Sequence, residues 1–287
     1  GGEMSFSKYL IGLSAGDRGF VGLPLFVMRA FRHRCFFVRR DSGVSSFADL
    51  AGKRIGTNGW PDTGNTWSRA ALRAAGAGID SITWWVGPID ETVEQAFGHA
   101  PATSVPEGVN VVPRGRTLAG MLVDGDLDAM MVPWPPSVFY EPDSPIARLF
   151  PDYRAVEAAY FRSTGIYPGH HILGLRREVV DAHPWVARRL YDAFEESRLL
   201  SQAKRLMLTD VTPWSLADLE ETVATFGRDW QPNGVEANRA MVEAFCEEQF
   251  AQRLVARKVD ADTVFAEFER AMRDTSSDTG DVRDDKR

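Results

Sequence analysis

Residues 23–33 have the sequence LPLFVMRAFRH, a short apolar run that passes directly into Arg29, Arg32 and His33. The block 21–27 predicts a buried strand that ends where these side chains begin. Cations at the end of a strand in an α/β protein suit an anionic small molecule, because a guanidinium can hold a carboxylate by two charge-assisted hydrogen bonds. The alternative is a solvated basic turn, in which one arginine pairs with an acid elsewhere in the chain.

Outward from this run, the chain alternates between strand and helix patterns, and this alternation predicts an α/β fold with a mostly parallel sheet. The length of 287 residues suffices for one large or two medium domains. Strands are predicted at 36–39, 53–57, 82–86, 129–132 and 172–175, and helices at 45–52, 66–75, 118–124, 181–207, 215–226 and 235–258.

The composition excludes several classes of protein. With 44% hydrophobic and 25% charged residues, the chain has the composition of a soluble globular protein. The net charge of −7 argues against nucleic acid as a partner. No run of about 18 apolar residues predicts a membrane span. Cys35 and Cys246 are far apart in apolar stretches, which predicts two buried thiols and neither a disulfide framework nor a metal site.

Five stretches of the sequence carry one further signal when they are taken in order. They are LPLFVMRAFRH at 23–33, DLAGKRIG at 49–56, AYFRSTGIYPGHH at 159–171, HPWVARRLYDAF at 183–194 and NGVEANRAMVEAF at 233–245. Together they resemble one known family, the 4,5-dihydroxyphthalate decarboxylases, a branch of the type II periplasmic-binding-protein fold. The resemblance covers most of residues 1–250.

The resemblance implies a discontinuous division of the chain. In the type II fold two α/β lobes are joined by two crossing strands, and a ligand binds in the cleft between the lobes. We therefore expect lobe I to combine 1–41 with 169–273, and lobe II to comprise 42–168. The polar run 274–287 predicts a disordered tail. In the family a first strand and helix precede the segment that matches 3–10, so we expect the chain to be a piece of a longer or cleaved protein.

The amino-terminal residues Glu3, Ser5 and Ser7 form one candidate cluster. The two serines are typical helix N-caps, and the free N–H groups of a helix N-terminus also bind anions. Glu3 matches an acidic position of the family. We expect Glu3 to act in catalysis and the two serines to contact the substrate.

A second candidate cluster follows at 60–69, WPDTGNTWSR, where a loop leads into a helix that presents backbone donors. Many family members carry Thr-Ala where Thr63 and Gly64 stand, and similar decarboxylases have His-Asp where Asp62 and Thr63 stand. This departure leaves the exact substrate open. The predicted substrate-binding residues here are Thr63, Gly64, Asn65 and Arg69.

A third candidate cluster is TGIYPGHH at 164–171. His171 matches the histidine of the family's proline–x–x–histidine pattern. Neighbouring side chains on a strand point to opposite faces, so at most one of His170 and His171 faces a ligand. Tyr167 and Trp134 are expected to stack on an aromatic ring.

The resemblance implies cofactor-independent decarboxylation of an aromatic hydroxy-(di)carboxylic acid. Arg29, Arg32 or Arg69 would hold the carboxylates, and His171 or His33 would deliver the proton. The partner is then a small anionic aromatic ligand, in a cytoplasmic protein, with a homo-oligomer left open. The alternative is a periplasmic solute-binding protein of a transporter that captures a small organic anion. A different lyase or hydrolase on the same scaffold is a third alternative.

Overall fold

The structure is a computed structural model that describes residues 1–97, 105–205 and 212–277. The chain forms two compact units, unit 1 (Gly1–Arg29 and Phe161–Arg287) and unit 2 (Ala30–Tyr160). Unit 1 is discontinuous, but the chain changes unit after residues 29 and 160, where we expected 41 and 168. The segment 30–41 goes with unit 2 because its strand, Phe36–Arg39, pairs on both sides with described strands of that unit.

The described residues form nine strands. They are β1 (Gly2–Ser5), β2 (Phe20–Arg29), β3 (Phe36–Arg39), β4 (Arg54–Thr57), β5 (Thr83–Val86), β6 (Asn110–Val111), β7 (Ala129–Met131), β8 (Ile146–Arg148) and β9 (Gly169–Arg176).

The described residues also form eleven α-helices, with short 3₁₀ turns between them. They are α1 (Phe6–Ser14), α2 (Thr63–Ala74), α3 (Glu91–Phe97), α4 (Leu118–Val123), α5 (Tyr153–Thr164), α6 (Arg177–Ala182), α7 (Trp185–Arg205), α8 (Ser215–Phe226), α9 (Arg239–Ala251), α10 (Ala261–Val264) and α11 (Ala266–Ser277).

The sheet of unit 1 has the order β1-β9-β2, and both pairings are antiparallel. Helix α1 packs beside it through Phe6, which stacks on Phe245 with ring centroids 5.0 Å apart. Phe26 and Phe265 complete this aromatic core. Burial of these rings fixes the first turn of α1 against the sheet, and this turn follows directly on Glu3 and Ser5.

The sheet of unit 2 has the order β6-β5-β4-β7-β3-β8. It is parallel from β6 to β7 and antiparallel where β3 pairs with β7 and β8. In the core of unit 2, Leu118 and Leu122 of α4 pack with Met130 of β7. The expected mostly parallel sheet therefore describes only part of unit 2, and unit 1 is antiparallel.

Several predicted bounds differ from the observed ones: the helix expected at 45–52 is only the 3₁₀ turn Ala48–Leu50, the helix expected at 235–258 is the shorter α9, and the strand expected at 172–175 is part of the longer β9. Two further differences concern a proline and the carboxyl-terminal tail. The helix expected at 181–207 is divided into α6 and α7, because Pro184 cannot continue a helix and His183 leaves the helical conformation. Residues 206 and 207 lie outside the described residues. The tail expected from residue 274 overlaps the end of α11, which runs to Ser277. The rest of that tail, 278–287, lies outside the described residues.

No helix in the described ranges is both long and apolar enough to cross a membrane. Cys35 and Cys246 are buried free thiols, as the apolar stretches around them predict. Burial raises the pKa of the Cys246 thiol to about 12, which keeps it protonated and unreactive.

Candidate functional site

The Glu3 and His171 side chains meet on the sheet of unit 1. The pairing of β1 with β9 sets Ser5 opposite His171 and Glu3 opposite Leu173, and the Glu3 side chain reaches across to the imidazole. His171 Nδ1 lies 2.6 Å from Glu3 Oε1, and the two side chains are 36% and 55% exposed. A carboxylate at Nδ1 fixes the tautomer and orientation of an imidazole, and Nε2 is then the atom that can exchange a proton.

His170 occupies the opposite face of β9 and is only 3% exposed. This agrees with the expectation that neighbouring side chains on a strand point to opposite faces. The accessible one is His171, which also carries the carboxylate partner.

The two amino-terminal serines differ in position. Ser5 is the N-cap of α1, and its hydroxyl accepts a hydrogen bond from the backbone N–H of Lys8. Ser7 is completely buried, and its hydroxyl accepts a 2.7 Å hydrogen bond from Gln249 Nε2. The structure therefore gives Ser7 a role inside the unit 1 core in place of the expected substrate contact.

Arg29, at the end of β2, is used within unit 1. Its guanidinium donates to the carbonyl oxygens of Tyr167 and Pro232, at 2.9 and 2.7 Å, and to Asn238 Oδ1 at 2.5 Å. It also lies over the Phe26 ring, 4.8 Å from the centroid. Burial lowers the pKa of Arg29 to about 10. These contacts make Arg29 a brace that ties β2 to two loops, in place of the predicted carboxylate clamp, and they leave only Nε without a partner among the described residues.

Arg32 lies in unit 2 and is 6% exposed. Its Nε donates to Ser68 Oγ at 3.2 Å, and its Nη2 contacts Asn65 Oδ1 at 3.5 Å. Among the described residues no carboxylate forms an ion pair with it, and Nη1 makes no hydrogen bond. Burial lowers the pKa of this guanidinium, and the interactions with Cys35, Asp62 and Glu157 offset the effect only in part. A buried cation whose hydrogen-bond partners are neutral is a position where a bound anion is stabilising.

The guanidinium of Arg32 lies against the first turn of α2. A Cβ atom at Gly64 would be 2.8 Å from Arg32 Cζ, so only glycine permits this approach. Asp62, the N-cap residue, makes no side-chain capping bond. Thr63 and Asn65 are buried beside Gly64, and Asn65 Nδ2 donates to the Gly59 carbonyl at 2.8 Å. Three of the predicted binding residues are therefore brought together with Arg32 within unit 2.

His33 is buried among aromatic rings, 5.1 Å from Tyr160 and 5.7 Å from Phe47 by ring centroids. Its Nδ1 makes no hydrogen bond to any described residue. Burial lowers the pKa of His33 to about 4, so the imidazole is neutral at neutral pH. The structure therefore argues against His33 as the proton donor, because the protonated form is scarce where the reaction would run.

The remaining predicted residues occupy varied positions. Arg69 is completely buried, stacks over the Trp60 indole at 4.3 Å and donates to the Trp60 carbonyl, which removes it from contact with a ligand. Tyr167 is half-buried and stacks against Phe226. Trp134 follows β7 in unit 2 and is 40% exposed.

Ser68 and Asn238, which accept hydrogen bonds from Arg32 and Arg29, were not predicted as site residues from the sequence. Ser68, which accepts from Arg32, lies four residues after Gly64, so the i, i+4 spacing on one helix face could have indicated it. Asn238, which binds Arg29, is 209 residues away in sequence, and no local signal points to that contact.

Comparison with known proteins identifies relatives along most of the chain. The model of the NMT1/THI5-like family matches residues 22–132. The 4,5-dihydroxyphthalate decarboxylase of Comamonas testosteroni is 32% identical over 270 residues, covering 92% of this chain and 81% of the relative. A second 4,5-dihydroxyphthalate decarboxylase, from Pseudomonas putida, is 35% identical over 164 residues, covering 56% of this chain and 62% of the relative.

Among solved structures, the alkanesulfonate-binding protein SsuA from Xanthomonas axonopodis pv. citri matches with a TM-score of 0.48 and 15% identity. The match covers 91% of this chain and 78% of that protein. The two α/β units and the relatives along the chain confirm the predicted fold class, a two-lobed α/β fold of the type II periplasmic-binding-protein kind.

Proposed function

Because this chain belongs to the 4,5-dihydroxyphthalate decarboxylase family, we propose that it removes a carboxylate as carbon dioxide from a hydroxylated aromatic acid of the 4,5-dihydroxyphthalate type. The observation that carries the proposal is the 2.6 Å contact between His171 Nδ1 and Glu3 Oε1 at a solvent-accessible position. A protein that only captures a solute needs cations but no proton donor.

The reaction exchanges a carboxylate for a proton on one ring carbon. A hydroxyl group para to the departing carboxylate supplies electron density to that carbon. The carbon accepts a proton, the bond to the carboxylate breaks, its electron pair restores the aromatic ring, and carbon dioxide leaves. The protein must therefore hold a carboxylate and provide an acid close to neutral pH.

In this proposal His171 delivers the proton from Nε2. Imidazole gives and takes protons near neutral pH, and the Glu3 carboxylate at Nδ1 supports it in two ways. It holds the ring in one orientation, and it stabilises the charged imidazolium before the proton leaves. His171 is the proposed catalytic residue, and Glu3 is a positioning residue that acts through it.

We assign the binding of a substrate carboxylate to Arg32 of unit 2. Its hydrogen-bond partners, Ser68 and Asn65, are neutral, and the burial of the guanidinium favours a negatively charged ligand. Gly64 supports this role because it leaves room for the guanidinium at the start of α2. A planar guanidinium can hold a carboxylate by two parallel hydrogen bonds.

The decisive experiment incubates the protein with 4,5-dihydroxyphthalate and measures carbon dioxide release together with the loss of substrate absorbance. His171→Asn keeps a donor close to the position of Nδ1 but removes the proton at Nε2. We expect it to lower kcat by about 10²- to 10⁴-fold. Glu3→Gln keeps the size of the side chain and removes its charge, and we expect a smaller fall in kcat with little change in KM.

Arg32→Gln is expected to act differently, by raising KM, because it removes a binding contact present before and during the reaction. His183→Asn, at an exposed histidine of the same unit as His171, is the matched control and should leave turnover unchanged. Tight binding of the acid with no release of carbon dioxide would contradict the proposal and favour a solute-binding protein. Full activity of His171→Asn would refute the role of the imidazole.

A further inference from the structure

A cavity of about 420 Å³ lies in unit 1, between the end of α1, the start of β2 and the turn before α10. Its volume falls within the range of about 300–1,000 Å³ that small-molecule sites occupy. Four cations line it, although the whole chain carries a net charge of −7. They are Arg18, Arg177, Arg257 and Lys258. This cavity contains none of the residues assigned above to decarboxylation.

The protein backbone holds two of these cations in place. Arg18 Nη1 donates to the carbonyl oxygens of Leu13 and Asp17, at 3.0 and 2.9 Å. Ser14 Oγ donates to the Arg257 carbonyl at 3.0 Å, and Arg257 Nη2 lies 3.5 Å from the Ser14 carbonyl. Each guanidinium therefore gives one nitrogen to the last turn of α1, a favourable position for a cation.

The other nitrogens of these two guanidinium groups make no hydrogen bond within the described part of the chain. The two acidic side chains that line the cavity are already engaged. Glu267 pairs with Arg177 and Arg270, and Asp260 accepts from the backbone of Asp262 at the start of α10. Arg177 and Lys258 are thus paired with Glu267 and Glu247, and the unpaired charged donors of the cavity wall belong to Arg18 and Arg257.

Apolar groups cover the rest of the wall. Leu13, Phe20 and Ala266 line the cavity, and Phe20 leaves 42% of its surface exposed. Tyr9 forms part of the wall, but its hydroxyl is occupied by the Val264 carbonyl and the Gly22 N–H, both at 3.1 Å. The combination of unpaired guanidinium donors and an apolar surface suits an organic anion better than an inorganic one.

We propose that this cavity is a second ligand site, which binds a small organic dianion between Arg18 and Arg257 with its apolar part against Leu13 and Phe20. The site is separate from the proposed decarboxylation residues, and binding there requires no turnover. A phosphate monoester and a dicarboxylate share the chemistry that these two guanidinium groups recognise.

Calorimetric titration of the full chain tests the site with phenyl phosphate and with succinate, which separate one dianionic group from two carboxylates. We expect saturable binding of at least one probe and weaker binding of inorganic phosphate, which lacks the apolar part. Loss of a charge-assisted hydrogen bond in Arg18→Gln or Arg257→Gln should weaken that binding about tenfold or more. Arg188→Gln, on α7 with its side chain 41% exposed, is the control of equal charge and should bind as the wild type does.

Thermal unfolding of the same variants separates binding from folding, because both arginines are exposed and their replacement leaves the core intact. No binding of either probe at millimolar concentration would overturn the proposal. Equal affinity in Arg18→Gln, Arg257→Gln and the wild type would also overturn it, since the two cations would then only cap α1. Arg32→Gln must leave this binding unchanged, so failure here is distinguishable from failure of the decarboxylase proposal.

Discussion

The buried imidazole of His33 should make the stability of the protein depend on pH. Burial lowers its pKa from 6.5 to about 4 in the folded chain. As the pH falls below 6.5, His33 becomes protonated in the unfolded chain but stays neutral in the folded chain. The stabilisation is therefore fully present above pH 6.5 and is lost between 6.5 and 4. From these two values, the free energy of unfolding falls by about 2 kcal/mol between pH 7 and pH 5, and by about 3 kcal/mol at pH 4.

The assay compares urea unfolding of the wild type and of His33→Phe at pH 7 and pH 5. Phenylalanine keeps an aromatic ring beside Phe47 and Tyr160 and has no proton to bind. Taking the difference between the two proteins cancels the titration of their shared carboxylates. The free energy of unfolding of the wild type, minus that of the variant, should be about 2 kcal/mol lower at pH 5 than at pH 7. His183→Asn, at an exposed histidine, should show no such change relative to the wild type.

A difference between wild type and His33→Phe that stays constant with pH would refute this reasoning. Proton NMR of the assigned His33 ring gives a direct check, because its signals should titrate near pH 4. Titration near 6.5 would show that the imidazole is hydrated, and it would return His33 to the set of proton donors available at neutral pH.

Two further predictions concern packing. Gly64→Ala should lower the free energy of unfolding by about 1–3 kcal/mol and reduce kcat/KM, because the new methyl group displaces the buried Arg32 guanidinium. Gly12→Ala in α1, where a Cβ meets only ordinary contacts, should instead be neutral or slightly stabilising. Equal effects of the two substitutions in urea unfolding would contradict the expected clash. Phe6→Ala should cost about 3–5 kcal/mol through the cavity it leaves, whereas Phe250→Ala, 45% exposed, should cost under about 1 kcal/mol in the same measurement.

Local sequence patterns were sufficient for most of the individual elements. Strand β3 (Phe36–Arg39) and helix α8 (Ser215–Phe226) have the predicted bounds. These signals are local: apolar periodicity, turn residues and glycine or proline at element ends act within a few residues. The antiparallel sheet of unit 1 was not predicted, because the direction of pairing depends on which distant strands meet.

The sequence by itself indicated an α/β chain, and the adjacency of His170 and His171 on a strand indicated that their side chains point to opposite faces. Only the tertiary structure decided which of the predicted site residues are available. Arg29 and Arg69 donate to backbone carbonyl oxygens, whereas the hydrogen-bond partners of Arg32 among the described residues are the side-chain oxygens of Ser68 and Asn65. The physical reason is that every arginine carries the same charge, whereas its availability to a ligand depends on hydrogen-bond partners and burial that residues remote in sequence contribute.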